Sequence, residues 1–230
     1  MTMENIWQNI LSTNALGEIE KQDINVIYFS YDSPMNRNTF NELLSFLPLH
    51  LQLKVKKYRK FNDQQNCLLG KVMIYLGYYH TTGKELDFNS LVYKKSKKPY
   101  ILDSEMEFNI SHSENTVICG YGKQDLGIDL EKVQNIDLSG FKDVFTSTEL
   151  LEIKKKGNEK FYELWTKKEA FSKAVGKGLS INLKHIKVEE EKIIFENETW
   201  NVNHFKLKDN LCSLVFKYPI NKLNITSLKI

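Results

Sequence analysis

The sequence LGIDLE, residues 126–131, has the alternating pattern of a strand and carries two acidic side chains. Side chains of a strand point alternately to its two faces, so the three apolar residues share a core face. Asp129 and Glu131 then share the other face, with their carboxylates close together. Two such charges both ionise readily only when a cation lies between them. The alternatives are therefore a cation site and an amphipathic strand with a solvated acidic face. Gly127 lies on the acidic face, where it would let a bulky ligand approach the backbone.

Strand and helix patterns flank this stretch on both sides. Upstream we predict a strand over residues 25–31, a helix over 38–47, a longer helix with Asp63 as N-cap, an extended segment from Lys98, and strands over 107–111 and 116–121. Downstream we predict helices over 148–156 and 160–175, followed by strands over 185–190, 192–195, 199–205 and 211–217. The pattern predicts an α+β protein of two compact halves, residues 1–122 and 123–230, with a ligand cleft between them.

The helix predicted over residues 160–175 carries a charged residue within its apolar stripe. Lys168 has apolar neighbours three, four and seven positions away, so its ammonium must reach water or find an anion. Glu169 and Lys173 are four residues apart and so neighbour each other along one edge of that stripe. This pair is either a surface ion pair or part of a site. Together with the strand carboxylates, the residues favour a magnesium–phosphate site but do not name a reaction.

Composition indicates a soluble globular protein, with 41% hydrophobic and 27% charged residues. A net charge of +3 is too small to argue for nucleic acid, and we expect neither nucleic acid nor a membrane as partner. Lysine and arginine nevertheless cluster at residues 54–60 and 94–98, where a solvated face and a site for a phosphorylated ligand are both open. Three unpaired cysteines (Cys67, Cys119, Cys212) and an N-terminus, residues 1–5, unlike a signal peptide predict a cytoplasmic protein with reduced core thiols.

Three motifs in order resemble the Sfp-type 4′-phosphopantetheinyl transferases, which activate peptide synthetases. They are FNISHS at residues 108–113, GIDLE at 127–131 and WTKKEAFSK at 165–173. The resemblance implies a monomer of two similar α/β halves related by pseudo-twofold symmetry, with coenzyme A bound between them. It implies transfer of the 4′-phosphopantetheine arm to a serine of an apo acyl or peptidyl carrier protein, with Mg²⁺ present and 3′,5′-ADP released.

The resemblance also assigns roles residue by residue. Asp129, Glu131 and Glu169 match the metal ligands, and Lys173 matches a lysine proposed to assist proton transfer. Contacts with coenzyme A are expected from six residues: Lys54, Lys57, Lys98, Ser111, His112 and Lys168. Taking catalysis as a whole, we assign it to Glu131, Glu169 and Lys173, with Glu131 as first candidate for the base and Lys173 as second.

Three positions depart from the pattern of the family. Asn66 stands where many relatives have arginine, Cys67 where a hydroxyl residue is common, and Lys97 where glycine is often found. They leave open how the 3′-phosphate and the adenine are held. Glu149 matches an acid of the family, but we favour a capping box with Thr146.

Two rival functions remain open from the sequence. A magnesium-dependent phosphohydrolase would use the same carboxylates with water as the nucleophile. A basic module that binds RNA or protein would use the two lysine clusters, although no aromatic RNA-binding motif is recognisable. The identity of the carrier is also left open.

Overall fold

The computed structural model describes residues 23–94, 97–177 and 181–228. The N-terminal residues 1–5 and Lys95, used in the sequence interpretation, lie outside them. The described helices are α1 (Arg37–Ser45), α2 (Leu49–Lys56), α3 (Phe61–Thr82), α4 (Ser147–Lys156) and α5 (Asn158–Val175). The described strands are β1 (Ile24–Ser30), β2 (Leu91–Tyr93), β3 (Pro99–Ile101), β4 (Glu107–Ser113), β5 (Thr116–Gly122), β6 (Leu126–Lys132), β7 (Lys187–Val188), β8 (Lys192–Phe195), β9 (Glu198–Leu207), β10 (Asn210–Phe216) and β11 (Leu223–Ser227). The molecule is α+β, as predicted.

The strands form two larger sheets and one hairpin. The first sheet has the order β11-β1-β5-β4, and the second has the order β6-β10-β9-β8-β7. β2 and β3 pair with each other alone. Strands β1, β4 and β5 of the first sheet precede residue 123 in the chain, and the strands of the second sheet follow it. Strand β11, from the end of the chain, pairs in parallel with β1, so that Ile24 lies opposite Leu223.

Strands β4 and β6 face each other at the edges of the two sheets. Polar side chains, rather than a backbone ladder, connect them. Asn109 Oδ1 accepts a hydrogen bond of 3.0 Å from the backbone N–H of Ile128. Ser113 Oγ accepts one of 3.2 Å from the backbone N–H of Lys132. The acidic residues of β6 are therefore placed directly beside β4.

Helix α5 packs against β6 at very close range, and Gly127 permits it. A Cβ atom at Gly127 would lie 2.1 Å from Ala170 O and 2.3 Å from Ala174 N. The two alanines are four residues apart on α5, so both face the strand. The expectation that Gly127 admits a ligand to the backbone is therefore wrong, because the helix fills that space.

Helix ends follow local sequence signals. Gly83 and Gly176 close α3 and α5 in the left-handed conformation, with φ of 68° and 70°, which glycine adopts without strain. Thr146 and Glu149 form the expected capping box at the start of α4. Asp63 lies in the first turn of α3, whereas Lys60 is the N-cap residue, so the predicted cap was three residues late.

The cysteines are free, as predicted. Cys119 and Cys212 are buried, and Cys67 is half-buried. Burial raises the pKa of Cys212 to about 12, so its thiol is neutral and unreactive at physiological pH. None of the helices in the described ranges combines the length and the apolar character that crossing a bilayer requires.

Candidate active site

Elements of both larger sheets line one open cleft of about 310 Å³. Strand β4 of the first sheet and strand β6 of the second contribute lining residues. Helix α5, which packs against β6, contributes the rest. The lining residues are Ile110, Ser111, His112, Asp129, Glu131, Trp165, Glu169 and Lys173. All three carboxylates that the sequence singled out therefore lie in the same cleft.

Asp129 lies deepest of the three acids, with 4% of its surface exposed. Its Oδ1 accepts hydrogen bonds of 2.8 Å from Ser111 Oγ and 2.6 Å from Lys173 Nζ. Its Oδ2 is buried and has no hydrogen-bond partner among the described residues. A buried carboxylate oxygen without a partner is costly, so this atom is a ready acceptor for a proton donor or a cation.

Glu131 and Glu169 both experience the charge of Asp129. Burial, followed by repulsion from Asp129, raises the pKa of each above its ordinary value. Ser113 Oγ donates a hydrogen bond of 3.1 Å to Glu131 Oε2. The cleft thus holds more negative charge than its own groups neutralise.

Lys173 supplies the positive charge beside Asp129. Its ammonium donates to Asp129 Oδ1 at 2.6 Å, to Ser111 Oγ at 2.8 Å and to the backbone oxygen of Ile128 at 3.3 Å. Because an ammonium has three N–H donors, all of them are engaged. Lys173 therefore binds α5 to both β4 and β6.

His112 lies exposed at the mouth of the cleft. Partial desolvation of the ring, followed by the charge of Lys173, lowers its pKa. The imidazole is therefore neutral near pH 7 and offers one N–H donor to an oxygen of a ligand.

The donor set agrees with a hard divalent cation, although the oxygens do not close around one. Within the three described ranges, no cluster of three or more His, Cys, Asp or Glu side chains is arranged to hold a metal ion. Lys173 instead compensates Asp129 on one oxygen. The unpartnered Asp129 Oδ2 and the two neighbouring carboxylates of raised pKa are what a magnesium ion would satisfy.

Lys168 lies elsewhere, contrary to the expectation that it contacts phosphate. Its side chain is fully buried, and its ammonium lies 3.0 Å from Glu149 Oε2. It also donates to three backbone oxygens, 2.9 Å to Leu183, 3.3 Å to Val144 and 3.3 Å to Ile186. Glu149 is therefore the anion that pairs with this lysine of the apolar stripe. The N–H donors of its ammonium are all used within the protein.

Lys98 also bonds to the protein itself. It is 8% exposed, and its ammonium donates to the backbone oxygens of Ala174 at 3.1 Å and Leu126 at 3.3 Å. It therefore connects the β2–β3 hairpin to α5 and β6. The other two basic residues expected at coenzyme A, Lys54 and Lys57, are exposed on α2 and at its C-cap and do not line the cleft.

Asn66 has a structural role that accounts for its departure from the family pattern. It is 2% exposed, accepts a hydrogen bond of 2.9 Å from Tyr31 OH, and donates one of 2.8 Å to the backbone oxygen of Glu114. Its amide is therefore unavailable to a nucleotide.

Two residues were missed as site residues: Trp165, which lines the cleft, and Ser113, which donates to Glu131. Ser113 lies two positions after Ser111, so strand alternation alone places both on the face toward β6. Trp165 was assigned to the apolar stripe of α5, and a stripe gives no sign that one of its members lines a polar cleft.

Most of the chain matches known families and proteins. Residues 125–220 match the model of the 4′-phosphopantetheinyl transferase superfamily, and residues 33–121 match that of the 4′-phosphopantetheinyl transferase N-terminal region. The chain is 33% identical over 165 residues to 4′-phosphopantetheinyl transferase Sfp of Bacillus subtilis, covering 68% of this chain and 73% of that protein. It is 26% identical over 223 residues to 4′-phosphopantetheinyl transferase gsp of Aneurinibacillus migulanus, covering 90% and 92%.

Proposed function

The chain belongs to the 4′-phosphopantetheinyl transferase superfamily, and we propose that the cleft between β4, β6 and α5 is its active site. The protein transfers phosphopantetheine from coenzyme A to carrier proteins. One observation supports the location: Asp129, Glu131 and Glu169, distant in sequence, line the same cleft as Ser111 and His112.

In the reaction proposed, a serine hydroxyl of the carrier attacks the β-phosphate of coenzyme A. The bond from this phosphorus to the bridging oxygen breaks, and 3′,5′-ADP leaves with that oxygen. Serine is a weak nucleophile, so its proton must be removed as the new bond forms. The pyrophosphate also needs positive charge and hydrogen-bond donors around it.

Asp129, Glu131 and Glu169 are the residues proposed to hold Mg²⁺. When bound, the ion would neutralise charge on the pyrophosphate and on the leaving group. The unpartnered Oδ2 of Asp129 supports this assignment, because a buried carboxylate oxygen is satisfied by a cation.

Glu131 is the base favoured by the contacts. Burial and the charge of Asp129 raise its pKa, which makes its carboxylate a better proton acceptor than an exposed glutamate. Lys173 donates all three of its N–H groups and has no lone pair to accept a proton. Its proposed role is therefore to orient Asp129 and Ser111.

Residues around these acids would bind the substrate. His112, neutral and exposed at the mouth of the cleft, can donate to a phosphate oxygen, and Ser111 lies beside it on β4. Lys54 on α2 and Lys57 at its C-cap are proposed for the nucleotide end of coenzyme A. Two halves related by a pseudo-twofold axis with coenzyme A between them, a monomeric state and a cytoplasmic location also belong to this proposal.

The test uses coenzyme A and a panel of apo carriers from fatty-acid, polyketide, peptide-synthetase and lysine pathways. With Mg²⁺ present, the mass of at least one carrier should rise by one phosphopantetheine, and chelation by EDTA should stop the gain. Cleavage of coenzyme A without any carrier would favour a phosphohydrolase instead. Transfer that persists in EDTA would remove the magnesium part of the proposal.

A further inference from the structure

Two serines of β4 face the two acids of β6 in matching order. Ser111 Oγ donates to Asp129 Oδ1 at 2.8 Å, and Ser113 Oγ donates to Glu131 Oε2 at 3.1 Å. Each serine lies 18 residues before its acid, and both the serines and the acids are spaced by two residues, which is the side-chain repeat of a strand. The two strands therefore run in the same direction here, with one hydroxyl for each carboxylate.

The hydroxyl of Ser113 has a fixed orientation. Its oxygen accepts a hydrogen bond of 3.2 Å from the backbone N–H of Lys132, the residue that follows Glu131. A hydroxyl has only one proton to donate, and Ser113 donates it to Glu131 Oε2. Ser113 therefore contacts both the side chain of Glu131 and the adjoining backbone of β6, and so holds this carboxylate oxygen in place relative to its own strand.

Ser113 contacts Glu131 from outside the cleft. Glu131 is a lining residue of the cleft, whereas Ser113 lines a separate cavity of about 210 Å³. Asp129 pairs with the ammonium of Lys173, but Glu131 forms no ion pair among the described residues. The hydroxyl of Ser113 is neutral, so it holds the Glu131 carboxylate without cancelling its negative charge.

We infer that Ser113 is a positioning residue, which orients the Glu131 carboxylate for the divalent cation. The inference rests on the proposed function, because it takes Glu131 as a ligand of that cation. Carboxylates that bind metals are themselves hydrogen-bonded, and loss of such a partner lowers metal affinity or activity by about 10- to 100-fold. Since Ser113 belongs to the first sheet and Glu131 to the second, the first sheet contributes to the cation site through a side chain that does not line the cleft.

The test replaces one serine at a time. Ser113→Ala removes the hydroxyl, whereas Ser113→Thr keeps it and adds a methyl group beside the neighbouring cavity. Ser139→Ala is the matched control, because Ser139 Oγ also donates to a carboxylate, Asp137 Oδ2 at 2.7 Å, and lies outside the cleft. Binding of Mn²⁺ alone is measured by electron paramagnetic resonance, and transfer kinetics are measured with coenzyme A, Mg²⁺ and an apo carrier.

We expect Ser113→Ala to weaken Mn²⁺ binding by about tenfold or more, because a ligand of the cation loses the group that orients it. The rate at saturating substrates should fall, and the KM for coenzyme A should stay at its wild-type value, since Ser113 does not line the cleft. Ser113→Thr should bind Mn²⁺ more tightly than Ser113→Ala, because the hydroxyl is restored. Ser139→Ala should match the wild type in both measurements.

Equal Mn²⁺ affinity in Ser113→Ala and Ser139→Ala would overturn the inference, as would a wild type that does not bind Mn²⁺. A Ser113→Thr variant as weak as Ser113→Ala would also overturn it, since the hydroxyl would then not be the group that matters. A raised KM for coenzyme A at unchanged Mn²⁺ affinity would show that Ser113 contacts the substrate instead. Failure of the wild type to modify any carrier would count against the proposed function, and the Mn²⁺ comparison would still decide whether Ser113 orients Glu131.

Discussion

Lys173 Nζ lies 2.6 Å from Asp129 Oδ1, and this contact joins helix α5 to strand β6 at the candidate active site. The same ammonium reaches Ser111 on β4. One lysine therefore connects the two larger sheets through side chains that the proposed reaction needs, and it leaves Asp129 Oδ2 without a partner.

Replacing Asp129 or Glu169 by alanine should abolish transfer while the fold persists. We expect Asp129→Ala and Glu169→Ala each to lower kcat/KM by about a thousandfold, since the charges that organise the pyrophosphate are lost. The free energy of unfolding should change little for Glu169→Ala, since Glu169 forms no ion pair among the described residues, and should fall for Asp129→Ala, since Lys173 loses its ion-pair partner. Glu105→Ala, whose side chain is 80% exposed, is the control. Full activity of either variant at saturating magnesium contradicts the assignment.

Lys168→Met should reduce stability and leave the KM for coenzyme A unchanged. The substitution breaks a buried ion pair with Glu149 and should lower the free energy of unfolding by about 3 kcal/mol in urea titrations. Lys187→Met is the matched control, because Lys187 forms an exposed pair with Glu189 and such pairs contribute little to stability. A stable variant with a raised KM for coenzyme A would restore the phosphate role of Lys168.

Lys97→Gly should stabilise the protein. Lys97 has φ of 68° in the turn between β2 and β3, a conformation that glycine adopts without strain. Relief of this strain should raise the free energy of unfolding by about 1 kcal/mol. Lys97→Ala removes the same charge and keeps the Cβ, so it should leave stability close to that of the wild type. Equal effects of the two substitutions would attribute the change to the charge.

Tyr31 should contribute to unfolding at alkaline pH. Burial, followed by the charge of Asp63, raises its pKa from 10.0 to about 12. Because the folded-state pKa is the higher one, its contribution is complete below pH 10 and is lost as pH rises toward 12. The loss should be about 2 kcal/mol at pH 12.

Tyr31→Phe isolates this contribution, since all other titrating groups are retained. The variant should be about 1 kcal/mol less stable at pH 7, where Asn66 Oδ1 loses its donor. Between pH 10 and 12, urea titrations should show its stability falling less steeply than that of the wild type. Parallel pH profiles would mean that Tyr31 titrates normally.

The sequence predicted the strand that carries Asp129 and Glu131, and the helix that carries Glu169 and Lys173, because both follow a local period. It did not predict what packs against the face of that helix that carries Lys168. Lys168 was expected at phosphate, whereas Glu149 and the backbone of residues 144, 183 and 186 surround it. Which loop covers a helix face is a tertiary property, and spacing along the helix does not encode it.

Gly127 and β11 also show that a local sequence pattern does not identify tertiary contacts. A glycine on a strand indicates that something approaches closely, and the structure identifies it as α5 rather than a ligand. Strand β11 is five residues long, and its partner β1 lies almost 200 residues earlier in the chain. Neither its length nor its composition distinguishes it from a loop, so only the pairing itself reveals it.

The parallel pairing of β11 with β1 also determines when the first sheet can be completed during synthesis. A ribosome makes β1 well before β11, which is the neighbour of β1 on one side. Until Leu223–Ser227 emerges, that edge of β1 exposes unpaired N–H and C=O groups to other nascent chains. The first sheet, which includes β4 with Ser111, can therefore be completed only after β11 has been synthesised.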